Sequence, residues 1–396
     1  MRVKIKRPCL FRIDLIIAMR TFKSSIILVT AFFLGIFANC ATVYSNELSH
    51  QTVADELLTG YPVGFKILKE RWKGQRRRPY ALEIAVWYPS SGEKTKYRYP
   101  FGENKMTTSL ALNGKPVIGK FPLIVYAHGA TGGGTSSAFI TETLARKGYI
   151  VVAVDYTDRF SQVRISKPVA LRKFKKIRML KWAKDLRSRQ FGAEAQKYRK
   201  LFGYRPDQTK LTVDRMLREN SDKTSLFYRM INESRIGIVG HSFGAWTSMM
   251  VGGADPAYRD PRIKVIVAMS GPVTRQVYNV HKPREVNDIH VPIMFMYGQK
   301  EPLVGRPSDK EFLFDLANQP RFLLSVEDAD HFTFSGGVRK EFETIDDFLR
   351  LDRRRAVLTY YIRYFFDYYL KGQQEAKAPL TRNIRGVDRY LKDFGE

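Results

Sequence analysis

Cysteine is nearly absent from this 396-residue chain: there are two, Cys9 and Cys40, both within or beside an apolar N-terminal segment. If that segment is removed, the remainder has no thiol, which excludes disulfides and a cysteine nucleophile. Histidine is also scarce. Of six, no two stand at metal-ligand spacing, so no metal is expected. No G-K-[S/T] loop and no G-x-G-x-x-G occurs, which argues against nucleotide phosphates and dinucleotides. The sequence has no internal repeat and no low-complexity block. Acids are in deficit, 39 Asp and Glu against 67 Lys and Arg. No apolar run reaches the ~20 residues needed to span a bilayer. The longest, Ser25 to Phe37, follows Arg20 and Lys23 and precedes the small residues Ala38, Ala41 and Ser45. That order reads as a signal over residues 1–45, cleaved near Cys40 or Ser45, with Met19 an alternative start. Secretion or periplasmic export follows; the alternative is an uncleaved N-terminal anchor. Asn39 before Cys40 argues against a lipoprotein.

The chain as a whole is 44% apolar, enough for a large core. From residue 121 onward the pattern is regular. Short apolar runs at Phe121–Ala127, Tyr149–Val154, Arg235–Val239, Ile263–Met269, Ile293–Tyr297 and Phe322–Val326 alternate with helical spacing at Ser137–Lys147, Phe243–Val251 and, last, Asp352–Leu370. Continuous apolar strands alternating with helices imply a mostly parallel sheet with helices on both faces. Val63–Leu68 and Ala81–Tyr88 precede it as strands, and residues 90–120 read as turn-rich. One long stretch, 159–232, interrupts the alternation. It reads as a basic, mostly helical insertion, a cap on the side of the strand C-termini, within one domain of residues 46–396. Between Arg159 and Lys200 it holds 15 basic residues and two acids, with Phe174, Met179, Leu180 and Trp182 among them. A solvated helical face explains this most simply. If the charge has a partner, an anionic membrane or polymer surface fits an exported protein better than nucleic acid does.

The chemistry gathers at strand ends. Gly240-His-Ser242-Phe-Gly244 follows the strand 235–239 and opens a helix, which is the strand–turn–helix context of a nucleophile elbow, with Ser242 at its tip. His128-Gly-Ala130-Thr-Gly-Gly-Gly134 follows the strand 121–127. A tetrahedral acyl intermediate needs two backbone N–H donors. Phe243 is one candidate and Ala130 the other, with Thr131 next. His128 is expected to order the loop rather than move protons. Elbow-bearing chains place nucleophile, acid and base in that order. His331, in Asp328-Ala-Asp-His-Phe-Thr-Phe334, is the histidine that follows the strand expected to carry the acid. Glu301, three residues after Gly298, is the leading acid, with Asp328, Asp330 and Asp288 as rivals.

Four stretches carry a family resemblance: Glu83–Pro89, His128-Gly129 with Gly148–Asp155, Gly237–Gly244, and His331–Phe334. Together they resemble the platelet-activating-factor acetylhydrolase and dienelactone-hydrolase-like branch of the α/β-hydrolases. The resemblance implies that fold, a Ser–His–acid triad, and an oxyanion hole at Ala130 and Phe243. Two features depart from it. The acetylhydrolases place their acid after the strand that follows the elbow, where this chain has Ala268-Met-Ser-Gly-Pro272 and no carboxylate. Dienelactone hydrolase proper uses cysteine where Ser242 stands. The expectation is a cofactor-free serine hydrolase cleaving carboxylic esters, including lipid-like ones, through an acyl-enzyme. The alternatives are a serine peptidase of the same fold and a non-catalytic binding protein on that scaffold.

Overall fold

A strand buried on both faces needs no polar alternation, and the centre of this molecule is built from such strands. In Phe121–Ala127 and Ile150–Val154 every residue is buried. Each Val, Ile or Leu so placed is worth roughly 1.5–3 kcal/mol relative to exposure, which favours a sheet covered on both sides. The computed structural model describes residues 48–74, 79–101, 104–158, 161, 163–167, 177–178, 202–271, 286–301, 307–336 and 342–395. The proposed signal, residues 1–45, and most of the basic stretch 159–201 lie outside the described residues. Among the described residues, no helix is long and apolar enough to cross a membrane.

Among the described residues, eleven strands form one sheet. In chain order they are β1 (Val63–Trp72), β2 (Tyr80–Pro89), β3 (Thr95–Phe101), β4 (Asn104–Leu112), β5 (Phe121–Ala127), β6 (Ile150–Val154), β7 (Ile231–His241), β8 (Ile263–Met269), β9 (Ile293–Gly298), β10 (Arg321–Val326) and β11 (Val387–Asp393). Their order across the sheet is β11-β10-β9-β8-β7-β5-β6-β2-β1-β4-β3. The run from β10 to β6 is parallel throughout. β2 adds antiparallel to β6, and β1 adds antiparallel to β2. The described helices include α1 (His50–Leu58), α2 (Ala138–Arg146), α3 (Tyr204–Ser221), α4 (Phe243–Met249), α5 (Pro307–Leu316), α6 (Asp347–Arg350) and α7 (Arg353–Tyr369). This is the α/β-hydrolase architecture, and its parallel order points six successive strand C-termini to one edge of the sheet.

The structure corrects the reading in three places. Residues 90–120 are not mainly turns, because β3 and β4 pair as an antiparallel hairpin from Thr95–Leu110 to Phe101–Asn104. Its buried side, with Tyr99, Met106 and Leu110, is interleaved with Lys96, Arg98 and Thr107, so the apolar signal is diluted. Phe322–Val326 is not the last strand either. β11 follows α7 and pairs antiparallel with β10. As an edge strand with Asp388, Arg389, Lys392 and Asp393, it carries the charges that discourage edge-to-edge association. Finally, β7 begins at Ile231, four residues earlier than its apolar run, with Glu233, Ser234 and Arg235 exposed. Within the 159–232 stretch, α3 lies between β6 and β7 in the chain and packs on the sheet through Val213 and Met216.

Candidate active site

The turn from β7 into α4 holds Ser242 at φ 56°, ψ −116°. That left-handed backbone costs a non-glycine residue about 1–3 kcal/mol. It persists because the surroundings leave no alternative. The Ser242 N–H donates to the Met269 carbonyl at 2.8 Å, and its own carbonyl accepts from Ala245 at 2.9 Å. A Cβ on Gly244 would fall on the Ala127 carbonyl, and one on Gly240 on the Gly244 carbonyl. The two glycines therefore let β5, β7 and α4 meet closely enough to raise Ser242 at the sheet edge, where it is half-buried.

Two other strand ends deliver partners. His331, after β10, places Nε2 3.0 Å from Ser242 Oγ. Glu301, after β9, places Oε2 3.2 Å from His331 Nδ1, its side chain wholly shielded from water. Asp330 caps the 3₁₀ turn His331–Phe334, accepting the N–H groups of Phe332 and Thr333 at 3.0 Å each. Asp328 faces outward and pairs with Lys300 at 2.7 Å. Asp288 is exposed. The structure thus brings Ser242, His331 and Glu301 into one line and directs the three rival carboxylates elsewhere. His241 also contributes: its Nε2–H donates to the His331 carbonyl at 2.9 Å, tying the elbow to the histidine turn.

The loop after β5 lies against the serine. A Cβ on Gly129 would sit 3.4 Å from Ser242 Cβ and 3.3 Å from His241 Nδ1. Ala130 follows directly, and Phe243 opens α4. A feature the sequence did not reveal holds this loop. Arg205, on α3, has no exposure at all. It pairs with Asp158, donates to the His128 carbonyl at 2.8 Å and to the Gly129 carbonyl at 3.3 Å, and lies 4.1 Å over the Phe243 ring. One buried guanidinium therefore fixes both backbone segments from which the oxyanion donors were expected. Asp155, after β6, adds a second tie by accepting the N–H groups of Gly134 at 2.8 Å and Ile165 at 2.9 Å.

His128 does not face the serine. Its Nδ1–H donates to the Gly129 carbonyl at 2.7 Å and its Nε2 accepts the Tyr156 N–H at 3.2 Å. Burial first, and the Arg205 charge second, hold its pKa down at about 3. An unfolded histidine titrates near 6.5. Between those values the unfolded chain binds a proton that the folded one refuses. The stability His128 contributes is thus complete above about pH 6.5 and is lost as pH falls, at up to about 1.4 kcal/mol per pH unit. His241, held well below 6.5 mainly by burial, acts in the same sense. Burial of Glu142 and Asp155 raises them to about 7 and 6, so their contributions are lost as pH rises and have the opposite sign. The total is muted, and a variant isolates the histidine. His128→Asn, whose amide still reaches the Gly129 carbonyl, is expected to melt with a shallower fall in Tm from about pH 6.5 to 4.5 than wild type. Equal slopes would show that His128 is protonated in the fold.

Next to the serine stands an aromatic wall. Phe243 stacks on Trp246 at 5.2 Å and meets Phe202 edge-on at 4.8 Å. No curated protein is similar enough to the chain to be matched with it. A family model does match, described as platelet-activating factor acetylhydrolase, isoform II, over residues 92–296. The matched span contains the loop after β5 and the elbow, and stops before Glu301 and His331. Matched over more than half of its length, and carrying the elbow on the parallel sheet that such an enzyme requires, the chain belongs to the platelet-activating factor acetylhydrolase, isoform II, family.

Proposed function

We propose that this member of an ester-hydrolase family is a serine hydrolase that cleaves carboxylic esters through an acyl-enzyme. One observation carries the reading: His331 reaches Ser242 Oγ with one ring nitrogen, at 3.0 Å, and Glu301 with the other, at 3.2 Å. In the reaction, His331 Nε2 takes the Ser242 proton as Oγ attacks the ester carbonyl carbon. The N–H groups of Ala130 and Phe243 hold the oxygen that becomes negative. The tetrahedral intermediate collapses, the C–O bond to the alcohol breaks, and His331 returns the proton to the leaving oxygen. Water then attacks the acyl carbon with His331 again as base, and Ser242 leaves as a hydroxyl with the carboxylic acid as product. Glu301 holds the ring with Nδ1 protonated and stabilises the imidazolium. His331 relays each proton, first from Ser242 to the alcohol and then from water to Ser242, and protein N–H groups supply the dipoles that this route uses.

The rings of Phe202, Phe243 and Trp246 support an apolar group on the substrate, in keeping with a lipid-like ester. The test is a series of p-nitrophenyl esters of increasing acyl length, run beside an aminoacyl p-nitroanilide. Ester cleavage is expected throughout, with kcat/KM rising about tenfold for each 1.4 kcal/mol gained from added methylenes until the wall is filled. Anilide cleavage faster than that of every ester would replace this reading by a peptidase.

A further inference from the structure

Ser270, the first residue after β8, belongs to none of the roles above, yet it touches two of the three groups in the Ser242–His331–Glu301 line. Its hydroxyl donates to Glu301 Oε2, and Oγ lies 3.1 Å from His331 Nδ1. The two bonds are compatible only one way round. The hydroxyl proton points to the carboxylate, which accepts, and a lone pair of Oγ is left facing Nδ1–H. That N–H is then forked between Ser270 Oγ at 3.1 Å and Glu301 Oε2 at 3.2 Å. Ser270 is wholly buried, and its N–H donates to the Met296 carbonyl at 2.7 Å, so it is anchored to the end of β9, the strand that delivers Glu301. Its φ is 47°, a left-handed backbone seldom used by serine in the absence of a local constraint.

We infer that Ser270 is a positioning residue of the active site, and that position 270 is a second seat from which a carboxylate could serve His331. The inference rests on the ester-hydrolase reading of Ser242, His331 and Glu301. Its physical content is this. A glutamate reaches the ring on a chain one methylene longer than aspartate's and loses more rotamer freedom when fixed. The Ser270 hydroxyl fixes the oxygen that faces Nδ1 and adds a second acceptor for the same N–H. The ring then keeps its tautomer and orientation while Nε2 exchanges protons with Ser242. The seat follows from distance. An aspartate at 270 places its carboxylate carbon about where Oγ now stands, 3.1 Å from Nδ1, so a turn of the carboxylate brings one of its oxygens within hydrogen-bond reach of Nδ1. Asp is also among the residues that accept a left-handed backbone most readily. The space it needs is that of the Glu301 carboxylate.

Two variants test this, with melting curves to establish folding. Ser270→Gly removes the hydroxyl and is at ease at positive φ. It is expected to lower kcat about tenfold with KM unchanged, the size of a hydrogen bond to a charged group. Glu301→Ala is expected to be nearly inert, and adding Ser270→Asp to it should raise kcat by about tenfold or more. Glycine cannot repeat that rescue, so a merely structural role for position 270 would not produce it. A folded Ser270→Gly enzyme with wild-type kcat, or a folded double variant no faster than Glu301→Ala alone, overturns the inference. Ser242→Ala assayed in parallel separates the two levels. If it still turns over ester, the underlying reading has failed; if it is inert, a negative result at position 270 counts against Ser270 alone.

Discussion

Ser242→Ala is expected to abolish ester hydrolysis, with a loss of about 10⁴ to 10⁶ in kcat, while the protein still melts as one cooperative unit near the wild-type temperature. The two halves of that expectation have separate grounds. Activity depends on Oγ, the atom 3.0 Å from His331 Nε2. Stability does not, because Ser242 is half-buried and the backbone that strains it is set by its N–H bond to Met269 and by the close approach of α4 to β5. Alanine keeps that backbone and loses one partly hydrated hydrogen bond, so the change should stay within about 1 kcal/mol. Ser270 could not take over as nucleophile: it is wholly buried and faces the opposite ring nitrogen. Steady-state kinetics with a p-nitrophenyl ester and a thermal melt on the same sample decide it. Retention of more than a tenth of wild-type kcat would move the nucleophile elsewhere.

Which parts of this site could be read from the sequence follows from how each is built. Phe121–Ala127 and Ile263–Met269 are strands from first residue to last as their apolar runs indicate, because strands covered on both faces are interrupted by little that is polar, here only by the exposed Lys264 of the second. The hairpin of β3 and β4 and the edge strand β11 are half-polar by position, and their pattern sinks into that of a loop. The elbow is local: five consecutive residues after a strand contain the turn, the serine and the room for both. His331 is reached by chain order, and Glu301 by its distance from the end of a strand. Arg205 and Ser270 have no such local mark. Arg205 acts on a carbonyl 77 residues away and Ser270 on a ring 61 residues away, so their roles exist only once the sheet has brought the strand ends together. Ser270 did leave a trace, as the uncharged end of the strand after the elbow, where a carboxylate was sought and not found. A hydroxyl there becomes meaningful only when Glu301 is seen to arrive from the next strand.

The second large effect is expected at Glu301. Glu301→Gln should lower kcat by about 10⁴, comparable to losing the orienting acid of such a triad elsewhere, with little change in KM. An amide at this position has the shape of the carboxylate but the wrong complement of protons. If its NH₂ faces Nδ1, the ring adopts the opposite tautomer, with its proton on Nε2, and cannot accept from Ser242. If its oxygen faces Nδ1, the tautomer survives but the imidazolium loses the negative charge that stabilises it in a shielded site. Ser270 favours the first outcome less than the second, because its hydroxyl donates to the same atom and pairs better with oxygen than with an amide nitrogen. Asp328→Asn is the control and should turn over as wild type, since its carboxylate is about half exposed and its pair with Lys300 is a solvent-screened surface contact. Asp330→Asn asks the sharper question. Asp330 Oδ1 accepts two backbone N–H groups and the Thr333 hydroxyl, all at 3.0 Å, and so is committed to the turn that carries His331. Asparagine keeps an oxygen for that cap and caps about as well as aspartate, so the variant should keep its Tm and show no large fall in kcat. A Glu301→Gln enzyme with more than a tenth of wild-type kcat, set beside an Asp330→Asn enzyme that is folded and inert, would transfer the acid's role from Glu301 to Asp330.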